Sequence, residues 1–176
     1  MKARDVIEAA IAALAAHSPQ PPAEVRQAQV LDQSSVDIVA ACLVGEAGGE
    51  KDAKRGMQAV MNVIANRAGG DRSKFVAVCL KRKQFSMFNR ATGKRPRTTV
   101  AKVTDQYRKH PLWATAQQLV KRAAVGSLED ITGQAKFYHE VSINPDWARP
   151  DRKTVDIGNH RFYRESLADT LLRRLL

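Results

Sequence analysis

At 176 residues the chain has room for one domain, or one domain with a short appendage. An apolar share of 44% and a charged share of 27% exclude a disordered or fibrous chain, and no apolar run approaches the roughly 18 to 20 residues of a membrane-spanning helix. The formal net charge is +11, and it is uneven: from Lys51 to Arg122, eighteen Lys and Arg stand against three acids, Asp52, Asp71 and Asp105. Such a field favours a polyanionic partner. Nucleic acid, teichoic acid, lipopolysaccharide and acidic peptidoglycan all qualify, and charge alone does not choose among them.

In chain order, Val6, Ile7, Ala10, Ile11 and Leu14 recur at helical spacing and predict a short amphipathic helix over 3–16. Asp5 and Glu8 interrupt what would have to be the uncharged centre of a signal peptide, so none is read here. Ser18-Pro19-Gln20-Pro21-Pro22 ends the helix, and 23–33 is polar. Residues 1–33 are therefore expected to form a helical appendage and 34–176 the main domain.

Ser34-Ser35 is the expected cap of a helix carrying Val36, Val39, Ala40, Leu43 and Val44, broken by Gly45-Glu46-Ala47-Gly48-Gly49. A second helix is predicted from about 50 to 68, stopped by Gly69-Gly70. A short helix over 73–80 leads into a basic loop, 81–97, that holds Gln84-Phe85-Ser86. Two more helices follow over 99–109 and 111–125, the latter opened by Pro111 in its first turn. Beyond Gly126 the pattern alternates, predicting short strands in 135–140 and 154–163 with turns at Asn144-Pro145-Asp146 and Arg149-Pro150-Asp151. Residues 165–176 read as a closing amphipathic helix. The expected fold is mostly helical α+β with a small antiparallel sheet near the C-terminal end.

Glu46 is the first candidate for chemistry. Small neighbours leave backbone room for a polymer, and the apolar helix before it would desolvate the carboxylate. Desolvation penalises the charged form and raises the pKa, which a general acid near neutral pH requires. On spacing alone, a solvated Glu at a glycine-capped helix end is the more frequent case. Cys42 and Cys79 lie in apolar helical contexts and read as buried thiols with no adjacent base. Four histidines, His17, His110, His139 and His160, are too dispersed for a metal site, and no HExxH pattern is present, so neither metal nor cofactor is expected.

The ordered set Gly45-Glu46-Ala47, Gln58-Ala59-Val60, Val63-Ile64-Ala65-Asn66-Arg67, Gln84-Phe85-Ser86, Phe137-Tyr138-His139 and Ile157-Gly158-Asn159-His160-Arg161-Phe162-Tyr163 resembles the cell-wall hydrolase family of SleB and CwlJ, the spore-cortex-lytic type that also occurs in bacteriophages. The resemblance spans roughly 36–164. It implies a lysozyme-like fold related to goose-type lysozyme and lytic transglycosylases, and cleavage of the bond between N-acetylmuramic acid and N-acetylglucosamine with Glu46 as acid.

A two-carboxylate hydrolase needs a second acid about 5 to 9.5 Å away. The direction of Glu50 is unpredictable from sequence, Asp37 lies more than two turns back, and the remaining acids are scattered, which favours a one-carboxylate lytic transglycosylase over a muramidase. Gln84, Phe85 and Ser86 are candidates for a wall of the sugar groove, against a core role for Phe85 and capping roles for its neighbours. Tyr138 and His139 alternate faces on a strand, so only one should face the groove, and the resemblance favours Tyr138. Trp147 is a candidate for stacking on sugar, and His160 and Arg161 for holding a carboxylate or lactyl group.

The expected partner is the peptidoglycan glycan strand, with lipopolysaccharide or a membrane surface a further anionic target; the protein is expected to be a monomer. Absence of a signal peptide points to a lysin made in the cytoplasm and acting on the wall, as a phage endolysin or virion-associated enzyme would. The chief rival is a nucleic-acid-binding protein using the basic middle segment, although few aromatics interleave its cations. A zinc amidase acting on the same polymer and a non-catalytic wall-binding module are two further rivals.

Overall fold

A computed structural model describes residues 31–166. The helix expected over 3–16, the proline break and residues 167–176 of the expected closing helix lie outside the described residues.

Helix α1, Gln33–Ala47, is the centre of the fold. Its cap is Asp32, whose carboxylate accepts from the Ser35 amide at 2.9 Å and the Ser35 hydroxyl at 2.6 Å. That places the cap two positions before Ser34, the first of the expected serines. From Val36 to Val44 the helix is buried on nearly every side, as its run of small and branched apolar residues requires, and it opens to the surface at Gly45 and Glu46. It is enclosed by α2 (Ala53–Arg67), α3 (Phe75–Leu80), α5 (Val100–Tyr107) and α6 (Trp113–Ala124). The short α4, Asn89–Thr92, lies in the basic segment expected to be loop. Helix α1 continues through Gly45 and Glu46 and stops only at Gly48, so the glycine-rich break falls three residues later than expected. Pro111 precedes α6 rather than entering its first turn. Asp37, 3% exposed on the central helix, is fully engaged: Gln33 and Gln117 each donate to Oδ1 at 2.7 Å, and Arg108 meets Oδ2 at 2.6 Å.

The expected strand 154–163 is a hairpin. Lys153–Ile157 (β2) and His160–Tyr163 (β3) flank a turn at Gly158, φ +56°, and Asn159. With Phe137–Glu140 (β1) they form an antiparallel sheet of order β1-β3-β2, in which Tyr138 opposes Phe162 and Glu140 opposes His160. One face buries Ile157 and Phe162 with Ala59 and Val63 of α2.

Helix α2 fixes this sheet through a polar row spaced four residues apart. Gln58 and Asn62 donate to the Glu129 carbonyl at 3.1 and 3.0 Å, and Asn62 accepts from the Ile131 amide. Asn66 donates to the Ala135 carbonyl at 3.0 Å, and Arg67 donates through Nε to the Lys136 carbonyl at 2.6 Å. The last two bonds end on the residues just before β1, so they set where Tyr138 projects. Asp130 closes the loop by accepting from Thr132, Gln134 and Asn66.

Candidate active site

Glu46 occupies the last turn of α1, one turn beyond the fully buried Cys42. Burial is the largest influence on its carboxyl and raises its pKa above the ordinary 4.5. Tyr138 opposes this by donating its hydroxyl to Oε2 at 3.0 Å. The Ser86 amide and hydroxyl lie close enough to favour the charge as well, and so does the His160 ring. Oε1 makes no well-formed hydrogen bond among the described residues. Burial, followed by the charge of Glu46, pushes the Tyr138 phenol well above its usual value, so the phenol remains a neutral donor.

The carboxylate opens onto a cleft of about 320 Å³ lined by Gly45, Glu46, Gly49, Glu50, Glu140, Asn159 and His160. The small residues flanking Glu46 do different things. A Cβ on Gly45 would come within 2.6 Å of the Met87 sulfur and 3.2 Å of the Tyr107 hydroxyl, so protein fills that space. At Gly49 nothing lies within 4 Å, and the backbone there is open.

Two further carboxylates line the cleft: Glu50, whose direction the sequence left open, and Glu140, which corrects the reading that the remaining acids are scattered. Glu140 projects from β1 on the same face as Tyr138, two residues on, and is exposed. Glu50 is different: its side chain is 6% exposed, and its Oε1 lies 2.7 Å from His160 Nδ1. Period-2 spacing from Tyr138 is a signal that could have flagged Glu140. The Glu50–His160 contact joins the two ends of the domain and has no local signature.

The sequence candidates divide into two groups. Glu46, Tyr138, His160 and Ser86 converge. Phe85, 1% exposed, is core beneath the Arg67 guanidinium at 5.5 Å and cannot face an open groove. Gln84 is exposed but lines another depression with Arg67, Lys81 and Phe137. His139, 5% exposed, faces the opposite side of the sheet, within 2.9 Å of the Tyr163 hydroxyl and edge-on to Trp147 at 5.5 Å. Arg161 is on that side too, with its Nε 3.1 Å from Asp156. His139, Trp147 and Arg161 are thus separated from Glu46 by the sheet itself.

Both cysteines are buried and unbridged, and burial raises the Cys42 thiol well above its ordinary value. Among the described residues no group of three or more His, Cys, Asp or Glu is arranged to hold a metal ion, and no helix is long and apolar enough to cross a membrane.

A buried helix ending in a partly desolvated carboxylate, faced by a small antiparallel sheet across an open cleft, defines a lysozyme-like domain. Residues 51–163 match the family described as Cell Wall Hydrolase, and the chain belongs to that family. The match begins after Glu46 and contains Tyr138 and His160. The catalytic domain of the Bacillus cereus SleB protein has the same fold, with a TM-score of 0.51 at 23% identity over 77% of this chain and 96% of that one. The catalytic domain of the germination-specific lytic transglycosylase SleB from Bacillus anthracis aligns at 24% identity over 76% of this chain and 97% of that one, with a TM-score of 0.38. No curated protein matches the chain.

Proposed function

We propose that this peptidoglycan-degrading enzyme cleaves the bond between N-acetylmuramic acid and N-acetylglucosamine as a lytic transglycosylase, with Glu46 as its one acid and base. The observation that carries the reading is the Glu46 carboxyl itself, raised in pKa by burial, held on one oxygen by Tyr138 and set at an open cleft. In the protonated state it gives its proton to the glycosidic oxygen as the bond from C1 breaks. The carboxylate then takes the proton of the muramyl C6 hydroxyl as that oxygen closes on C1. The products are a 1,6-anhydromuramyl end and a free N-acetylglucosamine hydroxyl, Glu46 is reprotonated, and no water is consumed. Tyr138 keeps the carboxyl oriented through both steps.

Transglycosylation fits the state of Glu50, whose carboxylate is buried against His160 rather than free to activate water. The second reading is hydrolysis of the same bond, and Glu140 is the observation that favours it, because an exposed carboxylate on the cleft can serve a water. Mass spectrometry of digested sacculi separates the two. Anhydro ends that survive Glu140→Gln support transglycosylation; reducing ends that disappear in that variant support hydrolysis.

A further inference from the structure

The buried Glu50 carboxylate is not used by that mechanism, yet the fold makes unusual room for it. A Cβ on Gly56 in α2 would stand 2.6 Å from Glu50 Oε2, and one on Gly158 in the β2–β3 turn would overlap the same oxygen. Gly158 also has φ +56°, a conformation that side chains resist. Two glycines from distant parts of the chain therefore form a cradle that any larger residue would close.

In that cradle Glu50 does one visible thing: its Oε1 meets His160 Nδ1 at 2.7 Å, with the histidine 14% exposed. The other side of the imidazole packs edge-on against Tyr138, centroids 4.9 Å apart and planes at 86°. Tyr138 is in turn backed by Phe162 at 5.5 Å, and its hydroxyl donates to Glu46. The contacts run without a gap from Glu50 through His160 and Tyr138 to Glu46. The 2.7 Å contact is an ion-pair distance without well-formed hydrogen-bond geometry, yet it closes one side of the ring, and a ring walled in between a buried carboxylate and Tyr138 limits how far its neighbour can move.

We propose that Glu50 and His160 are positioning residues, a buried pair that holds Tyr138 against Glu46 in the geometry needed for proton transfer. The proposal rests on Glu46 being the acid. Pre-organisation of this kind acts on the reacting state more than on substrate binding, so its loss falls on kcat.

The test is steady-state turnover of soluble peptidoglycan oligomers by Glu50→Gln, His160→Asn and the double variant, each also in a Tyr138→Phe background, at a temperature well below unfolding. Each single change should lower kcat about tenfold or more with KM little altered, as expected for loss of a transition-state contact. The double variant should be no worse than the poorer single one. In the Tyr138→Phe background the further loss from Glu50→Gln should shrink to less than about twofold, the non-additivity of residues acting through one another. Unchanged kcat in both single variants would overturn the proposal, and so would an undiminished Glu50→Gln loss without the tyrosine hydroxyl. If Glu50→Gln does not fold, His160→Asn removes the same contact from its more exposed side and carries the test. Glu46→Gln in the same assay keeps the two ideas apart. Activity there removes the mechanism itself, whereas an inactive Glu46→Gln beside fully active Glu50 and His160 variants removes only the pair.

Discussion

Asn62→Ala tests whether the polar row on α2 is scaffold rather than chemistry. Asn62 is 3% exposed and joins α2 to the 129–131 loop with two hydrogen bonds. Truncation frees the Glu129 carbonyl and the Ile131 amide, but Gln58 still donates to Glu129 at 3.1 Å, so only the amide is orphaned. An orphaned buried donor costs about 1–3 kcal/mol and the second lost bond about 1 kcal/mol more, for a total of about 2–4 kcal/mol. For a domain of this size that lowers Tm by on the order of 10 °C. Thermal unfolding followed by circular dichroism measures the shift, and initial rates well below the transition measure turnover. The expected result is a large drop in Tm with turnover per folded molecule retained, since Asn62 does not line the cleft. A Tm within about 2 °C of wild type would mean the loop is held by something other than this row. Turnover lost at temperatures where the variant is folded would refute the division between scaffold and site.

Three further outcomes follow from the same geometry. Tyr138→Phe removes the hydrogen bond that lowers the Glu46 pKa, so the alkaline limb of the pH–rate profile should move to higher pH while the maximal rate falls about ten- to hundredfold; a limb that moves to lower pH contradicts the assignment. Because burial raises the folded-state pKa of Glu46 above its ordinary 4.5, the folded protein holds this proton more tightly than the unfolded chain, and its stability falls as pH rises through that window. Glu46→Gln should therefore melt no lower than wild type near neutral pH, with any advantage vanishing below about pH 4, whereas a neutral-pH loss confined to the variant would show that ionised Glu46 is well solvated. Phe85→Ala should cost about 3–5 kcal/mol as a large-to-small core change, while Gln84→Ala should leave denaturant midpoints unchanged.

Features that depend on local chemistry are legible in the sequence. The run Val39-Ala40-Ala41-Cys42-Leu43-Val44 can only be buried, and Gly69-Gly70 supplies the two positive-φ residues that follow α2. The hairpin is harder to see because alternation runs from Thr154 to Tyr163 with only Gly158-Asn159 to interrupt it, although that pair is itself a turn signal. Asp32 displaces Ser34 as cap because its carboxylate reaches both the amide and the hydroxyl of Ser35. For the site, strand alternation separates Tyr138 from His139, but it does not say that Trp147 and Arg161 share the His139 face. Gln58, Asn66 and Arg67 have polar side chains that could equally bind sugar; only the closure of the 129–136 loop assigns them to the scaffold. Glu50 is the least legible, because of the residues that fix it, Gly56, Gly158 and His160, the last two lie more than a hundred residues away.

The most direct test of the central claim is analysis of the muropeptides released from purified sacculi by wild-type enzyme beside Glu46→Gln. Wild type should release 1,6-anhydromuramyl products, and the variant, folded and still bound to the sacculi, should release none. Release of the same products by Glu46→Gln at a comparable rate would contradict the account.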